Sequence, residues 1–192
     1  MSPRIGVLAL QGDVREHVSA LDLCGAKTTL VKSPSQLAEV DALVIPGGES
    51  TTISKLSRIF GLFDPLKAAI SSGLPVFGTC AGLILLADRI TDGISGQETF
   101  GGLDATVQRN AFGHQTSSFE TALNFSGIDN PVMAAFIRAP LITDVGNGVE
   151  ILSSLTDGQI VAVRQNKLLG ISFHPEICGE LAVHDFFIRE MI

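Results

Sequence analysis

The sequence contains no Trp and no Tyr, so Phe supplies all 11 of its aromatic residues. That skew by itself points to no function. Cysteine is sparse: Cys24, Cys80 and Cys178 are three, odd in number and far apart. They form no disulfide framework, and no C-x-x-C pair suggests a zinc knuckle. Basic residues are outnumbered, 13 Lys+Arg against 20 Asp+Glu, for a net charge of −7. Nucleic acid and anionic membrane surfaces select a basic face, so neither is an expected partner. No apolar run approaches the roughly 18 residues a membrane helix needs. The early run Ile5–Leu10 is shorter than a signal-peptide core and lacks a cleavage pattern. The expectation is a reduced, cytoplasmic protein. Twenty Gly and eight Pro follow no period, which excludes collagen-like and repeat architectures.

What is present is 192 residues, 45% hydrophobic, enough for one core and consistent with a single domain over 1–192. Ile5–Leu10 reads as a buried strand. Asp13 with Glu16 forms a plausible capping box for a helix that Gly25 stops. Thr28–Val31 and Ala42–Ile45 are further strands, with a short helix or turn over Ser35–Val40 between them. Ser50, Thr51 or Thr52 can cap a helix through Phe60, and Pro65–Ser71 is a second helical segment. Pro75–Phe77 is a strand, and Leu83–Ala87 a helix. Strands alternating with helices predict a mostly parallel sheet covered on both faces, a three-layer αβα, flavodoxin-like α/β fold. Beyond residue 100 the pattern is richer in strands: Leu103–Gln108, Ser118–Leu123, Val132–Ile137, Val149–Leu155, Ile160–Arg164 and Leu168–Phe173. Asn147-Gly148 and Asp157-Gly158 suggest hairpins, and Glu180–Ile192 an amphipathic helix.

Three stretches carry chemistry. Gly78-Thr79-Cys80-Ala81-Gly82 lies between an apolar strand and a helix, the G-x-nucleophile-x-G elbow with Cys in the nucleophile position. Such a turn needs small neighbours and lifts its central side chain above the sheet. The N-terminus of the following helix favours the thiolate form, and Ala81 N–H can donate to an oxyanion. His174-Pro175-Glu176 follows the last apolar strand, and in an extended stretch His174 and Glu176 point the same way. A carboxylate behind an imidazole completes triad logic if His174 reaches Cys80. Pro46-Gly47-Gly48-Glu49-Ser50 also follows an apolar strand, and its paired glycines let backbone N–H groups approach a ligand. It is neither a P-loop nor a dinucleotide fingerprint. Taken singly, each stretch also has a structural reading: a buried Cys in a tight turn, a loop His beside a solvated Glu, an ordinary strand-to-helix turn.

Weaker candidates remain. His174, Glu176 and Cys178 alternate but lack a fourth metal ligand at a sensible spacing. Arg109 and Arg138 each follow a strand-like run, where an Arg can hold a carboxylate in two-pronged fashion. His17, His114 and His184 read as surface or packing residues, and Cys24 and Cys178 as small apolar fillers.

An elbow Cys, a Gly-Gly loop and a late His-x-Glu, in that order, resemble the class I, triad-type glutamine amidotransferases. Within that class the motifs Ile5–Gly12, Val14–His17, Pro46–Thr52, Phe77–Gly82, Arg109-Asn110 with Phe112-Gly113, Phe136–Pro140 and Ser172–Glu176 are similar to the glutaminase subunits of pyridoxal 5′-phosphate synthases. Gly113-His114-Gln115 departs from the family pattern, which has Arg before the Gln; the departure touches a surface or interface contact. The resemblance implies hydrolysis of L-glutamine to glutamate and ammonia through a glutamyl thioester. The ammonia passes to a (β/α)₈ synthase subunit in a large hetero-oligomer, and the glutaminase is poorly active until it docks. By motif, Cys80 is the nucleophile, with His174 and Glu176 completing the triad. Gly48, Glu49, Ser50, Arg109, Ile137 and Arg138 contact glutamine; Gly48, Ala81 and Gln11 serve the oxyanion site. No metal or cofactor is implied. The alternatives are an amidotransferase subunit serving another synthase, an elbow-Cys thiol hydrolase of similar fold, and a non-enzymatic flavodoxin-like module in which Cys80 is buried and inert.

Overall fold

The computed structural model describes residues 3–109 and 118–192. The first half alternates strands and helices: β1 (Arg4–Leu8), α1 (Val14–Leu23), β2 (Lys27–Val31), α2 (Pro34–Leu37), β3 (Ala42–Ile45), α3 (Ser50–Ile59), α4 (Phe63–Ser71), β4 (Val76–Thr79) and α5 (Ala81–Leu86). The second half adds β5 (Ala87–Thr91), β6 (Leu103–Gln108), β7 (Phe119–Phe125), β8 (Ile128–Phe136), β9 (Leu141–Val145), β10 (Glu150–Ser154), β11 (Ile160–Gln165), β12 (Leu168–Ile171) and α6 (Ala182–Met191).

The main sheet runs β2-β1-β3-β4-β12-β11-β9-β6-β5, with β10 also on β11, and β7 and β8 form a separate ribbon. β2, β1, β3, β4 and β12 are parallel neighbours. Beyond β12 the pairing turns mixed, antiparallel except for β5 beside β6.

Alternation along the central strands sorts their side chains into two cores, as a sheet covered on both faces requires. On β3, Leu43 and Ile45 pack with α3, α4 and α5, while Ala42 and Val44 pack with α1 and α6. On β4, Val76 joins the first core and Phe77 the second. The ribbon contributes Phe125, Val132, Ala134 and Phe136 to the second core.

The register of β4 against β12 positions the chemistry. Gly78 pairs with Gly170 and Thr79 with Ile171, so both strands end together. Cys80 N–H donates to Ile171 O at 2.9 Å, and the chain leaving β12 runs beside the chain leaving β4.

Several expectations need correction. Asp13 occupies the N-cap position of α1, but its side chain makes no capping bond, so the capping box with Glu16 does not form. The cap of α3 is Glu49, whose carboxylate accepts from Thr51 N–H and Thr52 N–H, rather than Ser50, Thr51 or Thr52. The helix expected over Leu83–Ala87 begins at Ala81 and ends at Leu86, because Ala87 turns extended and starts an edge strand. Leu141–Val145 is a strand that apolar patterning did not mark. Asn147-Gly148 forms no hairpin: β9 and β10 both pair with β11 rather than with each other. The hairpin at Asp157-Gly158 does form, joining β10 to β11. β8 extends further than its apolar part and contains Pro131, which a two-stranded ribbon tolerates because one strand edge is unpaired.

Candidate active site

Cys80 sits between β4 and α5 with φ 47° and ψ −98°. A non-Gly residue at positive φ costs about 1–3 kcal/mol and persists only where the surroundings hold it. Here the surroundings are backbone. A Cβ on Gly82 would lie 2.1 Å from Ile45 O, and one on Gly78 would lie 2.6 Å from Gly82 C. The two glycines flanking the elbow are therefore demanded by close packing of α5 on β3 and β4.

His174 enters from the other side. Its N–H donates to Ala135 O at 2.8 Å, an isolated antiparallel bridge that ties the segment after β12 to β8. Its Nδ1 lies 2.8 Å from Glu176 Oε1, and both side chains are buried. Burial alone would lower the imidazole pKa; hydrogen bonds and charge from Cys80 and Glu176 outweigh it and raise the pKa to about 10. Burial pushes the Glu176 carboxyl up, partly offset by His174. The imidazole therefore holds a proton between a sulfur and a carboxylate.

A cleft of about 350 Å³ opens over these groups. Its walls are Gln11, Asp13, Gly48, Glu49, Ser50, Cys80, Ile84, Arg109, Ile137, Arg138 and His174. Nine residues singled out from sequence thus line one space, with Glu176 behind His174 and Ala81 behind Cys80. Gly47 accounts for the fit of the imidazole: a Cβ there would lie 2.3 Å from His174 Cε1. Gly47 O accepts from Asp13 N–H at 3.0 Å, and a trans peptide then directs Gly48 N–H away from Asp13. Gln11 Oε1 accepts from Glu49 N–H at 2.7 Å, which locks the loop after β1 to the loop after β3. Ala81 is the first residue of α5, where a helix N–H has no intrahelical acceptor.

On the polar wall, Glu49 and Arg109, the two residues the resemblance places against glutamine, are bonded to each other. Arg109 donates through Nη2 to Glu49 Oε1 at 3.0 Å and through Nη1 to Gln97 Oε1 at 2.6 Å. Glu49 Oε2 caps α3, accepting from Thr52 N–H at 2.7 Å and from the hydroxyls of Thr51 and Thr52. Those bonds outweigh burial and hold its carboxyl below the usual range. Ser50 is buried and paired with Gln97 Nε2 at 3.0 Å.

Sequence reasoning missed Asp13, Gln97 and two histidines. Asp13 Oδ2 lies 3.4 Å from His174 Nδ1, which is where its carboxylate goes in place of the cap. His17 and His184 are fully buried and hydrogen-bonded to each other at 2.9 Å, so neither is a surface residue. The spacing Asp13 to His17 puts both on one face at the start of a helix, a signal available in the sequence. Cys24 is half-buried, its thiol 3.8 Å from Leu181 O, and Cys178 is half-buried. His114 lies outside the described residues, as do Asn110, Phe112 and Gly113. Asp13, His174 and Glu176 bring one donor atom each within 4.8 Å of one another. The imidazole nitrogen nearest both carboxylates is the one bonded to Glu176, which leaves that nitrogen already engaged.

Comparison with known proteins gives the same picture. The family model described as "SNO glutamine amidotransferase family" matches residues 7–192. The chain belongs to the SNO glutamine amidotransferase family. Among the family's curated relatives, "Pyridoxal 5′-phosphate synthase subunit PdxT" of Clavibacter michiganensis subsp. michiganensis is 58% identical over 187 residues, 97% of this chain and 90% of the relative. The protein of the same name from Streptomyces coelicolor is 57% identical over 97% of this chain and 92% of its own length. A solved structure titled "Crystal structure of glutamine amidotransferase" superposes with a TM-score of 0.89 at 46% identity, covering 96% of both chains. The structure of PurLQS from Thermotoga maritima, at 15% identity and a TM-score of 0.67 over 92% of this chain and 89% of its own, shares the fold.

Proposed function

We propose that this chain, as one glutaminase domain, hydrolyses L-glutamine and supplies the ammonia to a pyridoxal 5′-phosphate synthase subunit. The observation that carries the reading is the meeting of Cys80 with the His174–Glu176 pair at the floor of a cleft walled by Gly48, Glu49, Ser50 and Arg109. The partner and its chemistry come from the relatives' name, pyridoxal 5′-phosphate synthase subunit, at more than half identity over nearly the full chain.

The chemistry follows from the arrangement. Sulfur attacks the side-chain carbonyl carbon of glutamine as thiolate, its proton resting on His174. The tetrahedral oxyanion is met by N–H donors of Ala81 and Gly48. His174 gives its proton to the departing nitrogen, which leaves as ammonia, and a γ-glutamyl thioester remains on Cys80. His174, now neutral, takes a proton from water as that water attacks the thioester. Collapse expels the sulfur and releases glutamate. Glu176 holds the imidazole orientation and balances its charge throughout. Arg109 grips the α-carboxylate of glutamine, exchanging Glu49 for it. Ile137 and Arg138 close the outer wall.

The test is a glutamate-release assay with and without the purified synthase subunit, on the wild type and Cys80→Ala. The expected outcome is turnover that rises with the partner and is abolished in the variant, with unchanged far-UV circular dichroism. Wild-type turnover in Cys80→Ala would refute the role of Cys80.

A further inference from the structure

Beneath the triad lies a buried imidazole pair that the mechanism above does not use. His17 comes from α1 and His184 from α6, and both have no solvent exposure. His17 Nδ1 is 2.9 Å from His184 Nε2. His17 Nε2 is 3.0 Å from Thr79 Oγ1, the residue before the nucleophile, and 3.5 Å from Glu176 Oε1. Phe77 packs edge-on against both rings, with centroids 6.1 and 5.4 Å away. Burial keeps both imidazoles neutral, with His184 pushed down to about 4 and His17 well below its ordinary value. Each ring therefore carries one N–H, and their mutual bond uses one of the two.

Which one is decided by the neighbouring charges. Glu176 Oε1 lies 3.5 Å from His17 Nε2, with neither side chain in solvent, so a lone pair on that nitrogen would face a buried carboxylate and an N–H there is attracted to it. The His17 proton is then on Nε2, pointing into the space shared by Thr79 Oγ1 and Glu176 Oε1. His17 Nδ1 is left to accept from His184 Nε2–H. The opposing pull is the Glu180 carbonyl beside His184, a dipole rather than a full charge. At 3.5 Å the Glu176 contact is a charge–dipole attraction rather than a short bond, weakly screened because neither side chain meets solvent.

We propose that His17, held in place through its other nitrogen by His184, is a positioning residue that presents its N–H to Glu176 and holds that carboxylate against His174 Nδ1. The second oxygen of Glu176 makes no side-chain hydrogen bond. Its side-chain contacts run through Oε1, which His174 and His17 share, with its own backbone N–H as a further donor to the carboxylate. The titratable groups around it are His174, Asp13 on the cleft side, His17 from α1 with His184 from α6 behind it, and Cys178 and Glu180 on its own loop. Without the His17 donor, Glu176 has less reason to stay ionised and aligned. His174 then holds its proton less firmly, and the reactive form of Cys80 becomes scarcer.

The inference rests on the glutaminase reading for its kinetic arm, and a second arm is independent of it. His17→Leu and His17→Gln are compared with wild type in the presence of the synthase subunit. In parallel, the rate at which iodoacetamide alkylates Cys80 is followed by site-resolved mass spectrometry from pH 5 to 9. The leucine removes the donor, whereas the glutamine amide places an N–H near the former Nε2. For His17→Leu the expected result is a fall in kcat of about tenfold or more, a KM for glutamine within twofold of wild type, and slower Cys80 alkylation near neutral pH. His17→Gln recovers most of each. A folded His17→Leu with wild-type kcat and alkylation profile overturns the proposal. So does an equal loss in both variants, which marks a packing role. If His17→Leu does not fold, His184→Leu against His184→Gln makes the same comparison one bond further out. A wild-type protein that releases no glutamate with its partner present overturns the glutaminase reading, and the alkylation arm then decides the role of His17 alone.

Discussion

Acidification should destabilise this protein through its two buried histidines. An unfolded histidine protonates near pH 6.5, whereas burial pushes His184 down to about 4 in the fold and holds His17 well below its ordinary value. For a group depressed by folding, the stability it contributes is present above 6.5 and is lost as pH falls towards the folded value. At pH 5 an unfolded histidine has gained about 2 kcal/mol of protonation free energy that folded His184 has not, against about 0.2 kcal/mol at pH 7. His184 alone should therefore remove about 2 kcal/mol between pH 7 and pH 5, a sizeable share of a typical domain's 5–15 kcal/mol, and His17, depressed in the same direction, adds to it. His174 does not confuse this window, because a raised imidazole contributes fully below 6.5 and loses its contribution only as pH rises towards about 10. Glu176, raised by burial, has the opposite sign and blunts the effect. With no Trp or Tyr to report by fluorescence, the assay is urea denaturation followed by far-UV circular dichroism at pH 5, 6 and 7. At a slope of about 2 kcal/mol per molar, the midpoint should fall by about 1 M or more from pH 7 to pH 5. In His184→Gln the fall should be smaller by about 1 M. A midpoint that does not move over this range, or a slope unchanged in His184→Gln, would refute the reasoning.

Two further outcomes follow from the cleft. Gly47→Ala would drive a methyl into the space of His174 Cε1, only 2.3 Å from the new carbon, so kcat should fall about a hundredfold with little change in urea midpoint; wild-type turnover would show that the imidazole has room elsewhere. Arg109→Met removes the charged grip assigned to it and should raise the KM for glutamine tenfold to a hundredfold, roughly, while affecting kcat less. An unchanged KM would remove Arg109 from substrate binding.

The parts of the fold that were legible in the sequence are those with strong local causes. Gly78, Gly82 and the apolar strands around them announced the elbow because only small residues fit there, and the added-carbon distances give the reason. His174 and Glu176 announced themselves by spacing and by Pro175. The less legible parts depend on partners remote in sequence. Asp13 has the composition of a cap, yet a histidine 161 residues away is the better partner for its carboxylate, and nothing local says so. His17 and His184 look like ordinary helix polar residues until α1 and α6 are laid on the same face of β4, where 167 residues of chain separate two bonded rings. Likewise, Asn147-Gly148 has hairpin chemistry, but β11 takes both flanking strands and overrides the turn. The family resemblance placed Glu49 and Arg109 at the substrate; it did not reveal that they would be bonded to one another.

Because Arg109 already holds a carboxylate, a ligand arriving at the cleft meets a guanidinium whose charge is balanced. On the proposed reading entry is a displacement: an incoming α-carboxylate exchanges with Glu49, which falls back on the threonine bonds that already hold its other oxygen. An amide without that carboxylate has nothing to exchange, so the bond between Arg109 and Glu49 would double as a filter on what reaches Cys80.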